Sequence, residues 1–371
     1  MLKFFTAAVC LFAYNIASTL DEHPTLAIGS KAPGFSLQGV DGKMYSLSSF
    51  EDAKILVIVF TCNHCPTAQA YENRIIQLTA DYKDKGVAVV AINPNDPRSI
   101  RPDELNFSDL SDSYEEMKLR AKEHHFNFPY LYDGETQTMA KAYGPVATPH
   151  VFVFDKDRIL RYQGRVDDQE SPHKTPHVSD ARNAIEALLN NRDITVPTTK
   201  VFGCSIKWAE KRDWIEKAKI EWAGETVSLD TINVNGLEEL AKNSSRKLRL
   251  INVWATWCGP CVVEFPDLVT INRMYRNRDF EFISISADVP DKKDKVLDFL
   301  KEREASSKNY IYSGDDKYAM IEALDHDWKG SLPFTMVVEP GGKVVYFKEG
   351  PIDALELKKV IVEDPLIGRY Y

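Results

Sequence analysis

The chain has 371 residues, with 46 Lys and Arg against 55 Asp and Glu, so its formal net charge is -9. This length corresponds to about two domains of roughly 100 to 200 residues, and it excludes a single small disulfide-stapled module. The acidic balance, without a Lys/Arg-rich tract, provides no positive surface for a phosphate backbone, so nucleic acid is excluded as a partner.

The N-terminal residues have the pattern of a secretory signal peptide. Lys3 is followed by an apolar run at residues 4–17 and then by small residues before Asp21. The run is too short to span a bilayer comfortably, so we expect residues 1–18 to be removed and the protein to be periplasmic or extracellular. An uncleaved signal would leave it membrane-associated. No later run reaches about 18 apolar residues, so we expect no stable membrane span after signal removal.

The first half predicts alternating strands and helices around a pair of cysteines. An apolar run at residues 55–60 predicts a buried strand, and the turn that follows holds Cys62 and Cys65. Helical spacing then predicts a helix over residues 70–82, and a further apolar run predicts a strand at 87–92.

Two later segments of this half border the predicted site. The polar stretch between Pro97 and Ser113 predicts a surface loop next to it. Thr148 and Pro149 precede another apolar strand, which returns as a hairpin over residues 159–163.

The second half repeats the same order after a charged helical connector. We predict a first strand at residues 227–229, a helix at 235–242 and a central strand at 248–255. Cys258 and Cys261 follow that strand directly.

An amphipathic helix is predicted after the second cysteine pair. Pro333 then leads into a strand and a terminal hairpin, and a closing helix is predicted at residues 353–362. The two halves are therefore an internal repeat.

Six cysteines are present, and four of them form two CxxC pairs, Cys62 with Cys65 and Cys258 with Cys261. A disulfide scaffold would instead tie distant loops together, so local pairs at strand-to-helix junctions indicate redox chemistry or metal binding. A cysteine just ahead of a helix is stabilised as a thiolate by free N–H groups and the positive end of the dipole.

The sequence WCGPC at residues 257–261 resembles the active site of thioredoxins. Asn252 replaces the buried aspartate of that family, and Glu264 completes a WCxPCxxExP pattern that is similar to the TlpA/ResA reductases. This resemblance implies that Cys258 is the nucleophile, that Cys261 resolves the mixed disulfide, and that Glu264 handles the proton. Alternatively, Glu264 is a solvated acid in the first helical turn.

The thioredoxin resemblance also implies a substrate-binding loop with a cis-proline opposite each cysteine pair. Thr148 with Pro149, and Leu332 with Pro333, match these positions. Together with Trp257 they are the predicted contacts to a substrate polypeptide.

The first half resembles the peroxiredoxin-like members of the redoxin superfamily. The motifs that carry the resemblance are FTCNHCP, INPND, FPYLYD, ATPHVFVFD, YQGRVDD and GCSIKW, which together span about residues 25–208. We take Cys62 as nucleophile and Cys65 as its partner, although Cys65-Pro66-Thr67 matches the peroxiredoxin nucleophile instead. That family has Thr where Cys62 stands, which favours disulfide exchange over peroxide reduction, and peroxidase activity stays an alternative.

Three residues near the first pair leave alternatives open. His64 favours the thiolate and a more oxidising pair, unless it faces solvent. Cys204 either resolves a mixed disulfide or packs as a small hydrophobe. Two cysteines with His150 suit Cu(I), so a copper-chaperone function is a further alternative, although we assign no metal and no organic cofactor.

The fold predicted from these patterns and resemblances is α/β, two thioredoxin-like domains in tandem, each with a central mixed sheet flanked by helices. The domains are residues 25–208 and 223–371, joined by a helical connector at 209–222. We expect an exported thiol-disulfide oxidoreductase that acts on protein thiols and disulfides, uses an upstream thiol reductant, and passes electrons between its two centres.

Overall fold

The computed structural model describes residues 23–369, so the predicted signal peptide lies outside the described residues. The first half forms a sheet from β1 (Ser36–Gly39), β2 (Met44–Ser46), β3 (Ile55–Phe60), β4 (Val87–Asn93), β5 (Tyr130–Tyr132), β6 (His150–Phe154) and β7 (Leu160–Gly164). The strand order is β2-β1-β5-β4-β3-β6-β7. Its helices are α1 (Pro66–Tyr82), α2 (Tyr114–Glu123), α3 (Thr138–Tyr143) and α4 (Asp180–Leu189).

The second half forms its own sheet after the connecting helix α5 (Arg212–Ala223). Its strands are β8 (Asp230–Ile232), β9 (Leu248–Trp254), β10 (Phe280–Ser286), β11 (Lys308–Tyr312), β12 (Phe334–Val338) and β13 (Val344–Glu349). The strand order is β13-β12-β9-β10-β11-β8. Its helices are α6 (Val234–Lys242), α7 (Gly259–Tyr275), α8 (Lys293–Glu302), α9 (Lys317–Leu324) and α10 (Ala354–Glu363).

Both sheets are mixed around a fully buried central strand, as predicted. Strand β3 runs parallel to β4 and antiparallel to β6, and β9 has the same relation to β10 and β12. Alternate residues of β3 enter two different hydrophobic clusters, one on each face of the sheet. Because both faces are covered, the strand is a continuous apolar run without polar alternation.

Two element bounds differ from the sequence prediction by more than one residue. Helix α1 begins at Pro66 rather than near residue 70, because the fixed φ of proline suits the first helical turn. The first strand of the second half is Asp230–Ile232 and not residues 227–229, since its register follows Tyr310 to Tyr312 of β11. No helix within residues 23–369 is long and apolar enough to cross a membrane.

The predicted surface loop between residues 97 and 113 is instead largely enclosed between the two halves. Ser108, Asp109 and Asp112 are each at most 1% exposed. The hydroxyl of Tyr275, at the end of α7, donates a 2.8 Å hydrogen bond to the carbonyl of Ser108. Leu105 packs against the core of the second half. The prediction of a surface loop was wrong because the second half covers this polar segment.

Candidate active site

In the second half, the cysteine pair opens helix α7. Cys258 is the N-cap residue, Pro260 lies in the first turn, and the Sγ of Cys258 accepts the N–H of Cys261 at 3.3 Å. The two cysteines form a disulfide. Cys258 is 6% exposed and Cys261 is fully buried, so Cys258 is the more accessible sulfur of the pair.

Glu264 is buried beneath this disulfide and is not the solvated acid of the alternative interpretation. It is 5% exposed, and its carboxylate accepts the side-chain amide of Asn252 at 3.1 Å and the N–H of Ile352 at 2.9 Å. Burial raises the pKa of Glu264 to about 7, and these two hydrogen bonds only partly oppose the shift. Three positions separate it from Cys261, so the two side chains share one face of α7.

The other predicted residues of this half surround the disulfide. The Leu332-Pro333 peptide bond is cis, as expected from the sequence. Leu332 packs against the hydrophobic cluster that contains Cys258 and Cys261. Trp257 and Val263 are 68% and 80% exposed and present apolar surface close to the pair.

In the first half, the helix begins one cysteine later. Cys65, the second cysteine of its pair, is the N-cap of α1, whereas in α7 the N-cap is the first cysteine. Cys65 therefore stands where free N–H groups stabilise a thiolate. The two halves share the same CxxC spacing, so the sequence does not reveal that the helix begins at a different cysteine of the pair in each half.

The surroundings shift the pKa values of the two thiols of this pair in opposite directions. Burial would raise the pKa of Cys65, but hydrogen bonds from the Cys204 and Cys62 thiols and the charge of His64 bring it well below its usual value. Burial raises the pKa of Cys62, and its hydrogen bond to Cys65 adds to that rise. These directions favour Cys65 as the thiolate.

His64 does not face solvent, in contrast to one of the sequence alternatives. It is 2% exposed, and its Nδ1 lies 2.6 Å from Oδ2 of Asp112, which is fully buried. Burial would lower the pKa of His64, but the Asp112 carboxylate and Cys65 raise it. Burial would raise the pKa of Asp112, but His64, Asn95 and the N–H of Asn63 lower it.

Asp112 is a site residue that the sequence analysis missed. Its only local signal is that it directly precedes Ser113 and Glu116, which form a capping box at the start of α2. Asn95, in the INPND motif, also joins the site because its side-chain amide donates to Asp112 at 2.7 Å.

The Thr148-Pro149 peptide bond is cis, as expected, and Thr148 contacts both cysteines. Its Oγ1 lies 3.1 Å from the Sγ of Cys62, and its carbonyl accepts from the Sγ of Cys65 at 3.4 Å. However, its backbone N–H already donates to the carbonyl of Cys204 at 3.0 Å. The backbone position predicted for a substrate is therefore taken by the chain itself.

The copper alternative proposed His150 as a metal ligand beside the first pair. Both ring nitrogens of His150 are engaged, with the N–H of Val146 at 3.3 Å and with Gln163 at 2.8 Å, so His150 is not directed at the cysteines. Ligand atoms of Cys62, His64 and Asp112 do lie within 4.8 Å of one another. The imidazole of His64 and the carboxylate of Asp112 are hydrogen-bonded to each other, and we assign them as an ion pair rather than as metal ligands.

The two centres are separated along helix α7. Cys258 caps the N-terminal end, while Tyr275 contacts Ser108 of the first half at the other end. A helix of this length extends about 25 Å. Gln69 links Ser108 to the carbonyl of Asn63, between the first two cysteines, which places the first centre near the far end of α7.

The Redoxin family model matches this chain twice, over residues 27–185 and again over residues 227–361. The chain belongs to the Redoxin family. Each match contains one of the two sheets with its cysteine pair, which confirms two thioredoxin-like domains in tandem. This Redoxin protein is an oxidoreductase.

Individual proteins are similar to parts of this chain. The thiol-disulfide oxidoreductase ResA of Bacillus cereus is 26% identical over 137 residues, which are 35% of this chain and 70% of that protein. The thiol:disulfide interchange protein HelX of Rhodobacter capsulatus is 30% identical over 124 residues, or 33% of this Redoxin chain and 62% of HelX. A crystal structure of an uncharacterized conserved protein from Geobacillus kaustophilus is 39% identical, with a TM-score of 0.44, covering 49% of this chain and 92% of that one.

Proposed function

We propose that this protein exchanges disulfides with polypeptide substrates through two separate dithiol centres. The observation that carries the proposal is that each CxxC pair directly follows a buried central strand and places one cysteine as the N-cap of a helix. The similarity of part of the chain to proteins named ResA and HelX supports thiol-disulfide exchange and supports export as its setting.

In the second domain, the reduced Cys258 thiolate attacks a substrate disulfide and releases one substrate sulfur as a thiolate. Cys261 then attacks the Sγ of Cys258, which closes the Cys258–Cys261 disulfide and releases the second substrate sulfur. Glu264, with a pKa of about 7, accepts the proton of Cys261 in this step. The exposed Trp257 and the loop of Leu332 and Pro333 provide the surface for the substrate backbone.

The first domain is proposed to oxidise substrate thiols, whereas the second reduces substrate disulfides. A paired His64 and two thiol donors stabilise the Cys65 thiolate, and interactions that stabilise the reduced form raise the reduction potential. The Cys62–Cys65 disulfide is therefore proposed as the more oxidising of the two centres, accepting electrons from substrate thiols.

The two centres are proposed to act on separate partners in this arrangement. The length of α7 separates them, so direct exchange between Cys65 and Cys258 requires a domain movement, and a relay requires a third protein. Reductive turnover also requires an upstream thiol reductant, which reduces the Cys258–Cys261 disulfide again after each exchange.

Peroxide reduction by the first domain is a second candidate because of one observation. Cys65 has a lowered pKa and is followed by Pro66 and Thr67, as in peroxiredoxins. Its burial at 0% exposure admits only a small oxidant. Peroxide consumption that requires Cys65 and not Cys258 would establish this activity, and metal bound stoichiometrically after reconstitution would favour the copper alternative.

The test of the main proposal is a redox titration of the full chain in glutathione buffers. Free thiols are alkylated at each potential and located by mass spectrometry, and insulin reduction is measured in parallel. We expect two separate two-electron transitions, and we expect Cys258→Ser to abolish insulin reduction while Cys65→Ser leaves it largely intact. If only one pair ever closes, the two-centre proposal is wrong.

A further inference from the structure

Cys204 lies against the first centre in the way that a bound substrate cysteine would. Its backbone N–H donates to the Sγ of Cys65 at 3.3 Å, and its carbonyl accepts the N–H of Thr148 at 3.0 Å. Thr148 and Cys204 form an isolated antiparallel bridge. Cys204 also packs against the cluster of Cys62, Cys65 and Ala68, so three cysteines meet at this site.

The segment that carries Cys204 is built into the domain. Gly203 has a φ of +140°, and a Cβ there would lie 2.0 Å from the carbonyl oxygen of Thr148, so only glycine allows this approach. The other end of the segment is also held at Lys207. Its N–H donates to the side-chain oxygen of Asn95 at 2.9 Å, and its carbonyl accepts the N–H of Asp96 at 2.9 Å. The position of Cys204 is therefore fixed on both sides.

Accessibility differs sharply among the three sulfurs. Cys62 and Cys65 are 1% and 0% exposed, whereas Cys204 is partly exposed and lies between two exposed residues, Gly203 and Ser205. A cysteine of a polypeptide can reach Cys204 without displacing the segment, but it cannot reach Cys62 or Cys65. Exchange with a protein thus needs either opening of the site or a relay through Cys204.

We propose that Cys204 is a third catalytic cysteine that connects the buried Cys62–Cys65 pair to external protein thiols. This inference rests on the proposed function of the first domain. Starting from the Cys62–Cys65 disulfide, the Cys204 thiol gives up its proton and its sulfur attacks the Sγ of Cys65. The Cys65–Cys204 bond forms, the Cys62–Cys65 bond breaks, and Cys62 leaves as a thiolate that takes up a proton.

The substrate then enters at Cys204, the most accessible of the three cysteines. A substrate thiolate attacks Cys204, which forms a mixed disulfide and releases Cys65 as a thiolate. The second substrate thiol attacks the substrate sulfur that is bound to Cys204. The substrate then leaves as a disulfide, and Cys204 regains its thiol. Two substrate thiols are oxidised and one protein disulfide is reduced, which balances the electrons. The low pKa of Cys65 makes it a good leaving group.

The first experiment looks for the intermediate. The full chain with Cys62→Ser is oxidised with glutathione disulfide and its disulfides are mapped by mass spectrometry. We expect Cys65–Cys204 as the main product. If Cys65 is instead found as a stable glutathione adduct with Cys204 free, the proposal is overturned.

The second experiment separates the role of Cys204 from the proposed function itself. The oxidised full chain is mixed with a reduced synthetic peptide that carries two cysteines, and opening of the Cys62–Cys65 disulfide is followed over time. We expect Cys204→Ser to slow this reaction at least about tenfold while the Cys62–Cys65 disulfide still forms, and Ser205→Ala in the same segment to have no effect.

Each outcome decides one of the two proposals. If Cys204→Ser exchanges at the wild-type rate, Cys204 is structural and only this inference fails. If the Cys62–Cys65 disulfide does not form in the wild-type chain under any glutathione ratio, the function proposed for the first domain fails, and the Cys204 relay fails with it.

Discussion

Cys65 and Cys258 are each the N-cap of a helix that follows a central strand, although one is the second and the other the first cysteine of its pair. The capping position stabilises a thiolate because the free N–H groups of the first turn point towards it. Cys258, which is 6% exposed and the more accessible cysteine of its pair, thus corresponds to the fully buried Cys65 of the first domain. One repeated motif therefore places its reactive sulfur differently in the two domains.

The reduction potential of the first pair is expected to exceed that of the second. The charged His64 stabilises the Cys65 thiolate, so His64→Ala should lower the potential of the Cys62–Cys65 pair by some tens of mV, where about 30 mV corresponds to about 1.4 kcal/mol. Glutathione titrations of the full chain measure both pairs. His326→Ala, at an exposed histidine, is the matched control; an equal or lower potential for the first pair contradicts the prediction.

Insulin reduction by the second domain is expected to depend on pH through Glu264. Its carboxyl has a pKa of about 7, so it gains the capacity to accept a proton as the pH rises through that value, and the rate should rise with it. Glu264→Gln should lower the rate by about 10- to 100-fold and remove the inflection near pH 7. Glu238→Gln, at an exposed acid of α6, should retain the wild-type profile. An unchanged inflection in Glu264→Gln would assign the titration to another group.

Asp112 is expected to be one of the residues on which the stability of the first domain depends most. Asp112→Ala leaves His64 buried without its partner, and breaking such a pair costs about 3–5 kcal/mol. Asp41→Ala, at an exposed ion pair, should cost less than about 1 kcal/mol. Urea denaturation of both variants measures the difference, and equal losses would refute the role given to the buried pair.

The stabilisation by this pair should also vary with pH. The folded state raises the pKa of His64 above its usual 6.5, so this contribution is present below that pH and is lost as the pH rises through the raised value. The folded state also lowers the pKa of Asp112 below its usual 3.8. The contribution of Asp112 to stability is therefore present above pH 3.8 and is lost as the pH falls through the lowered pKa. The difference between wild type and Asp112→Ala should thus be largest between about pH 4 and 6.5.

No direct disulfide exchange is expected between the two centres. A chain with Cys62→Ser, Cys204→Ser and Cys261→Ser retains Cys65 and Cys258 as possible partners, but the length of α7 lies between them. Peptide mapping after oxidation should find little Cys65–Cys258 disulfide. Abundant formation of that disulfide at low protein concentration would show that the domains move and would restore the direct relay that the sequence analysis anticipated.

Much of the fold follows from local patterns. The apolar runs predicted β3 and β9 because a strand covered on both faces has no polar alternation. Pro149 and Pro333 could be located because each directly precedes such a run, and both peptide bonds are cis. The start of α1 could not be placed correctly, since the same CxxC spacing is compatible with a helix that begins at either cysteine.

The sequence by itself determined the two domains, the four paired cysteines and the order of strand, cysteine pair and helix, because these depend on residues close together in the chain. Only the tertiary structure decided which thiol of the first pair has the lowered pKa, how deeply Glu264 is buried, and which residues surround the first pair. Asp112 reaches His64 from another loop, and Cys204 reaches Cys65 from the far end of the domain. A pKa depends on desolvation and on charges a few ångströms away, and these neighbours are brought together only by folding.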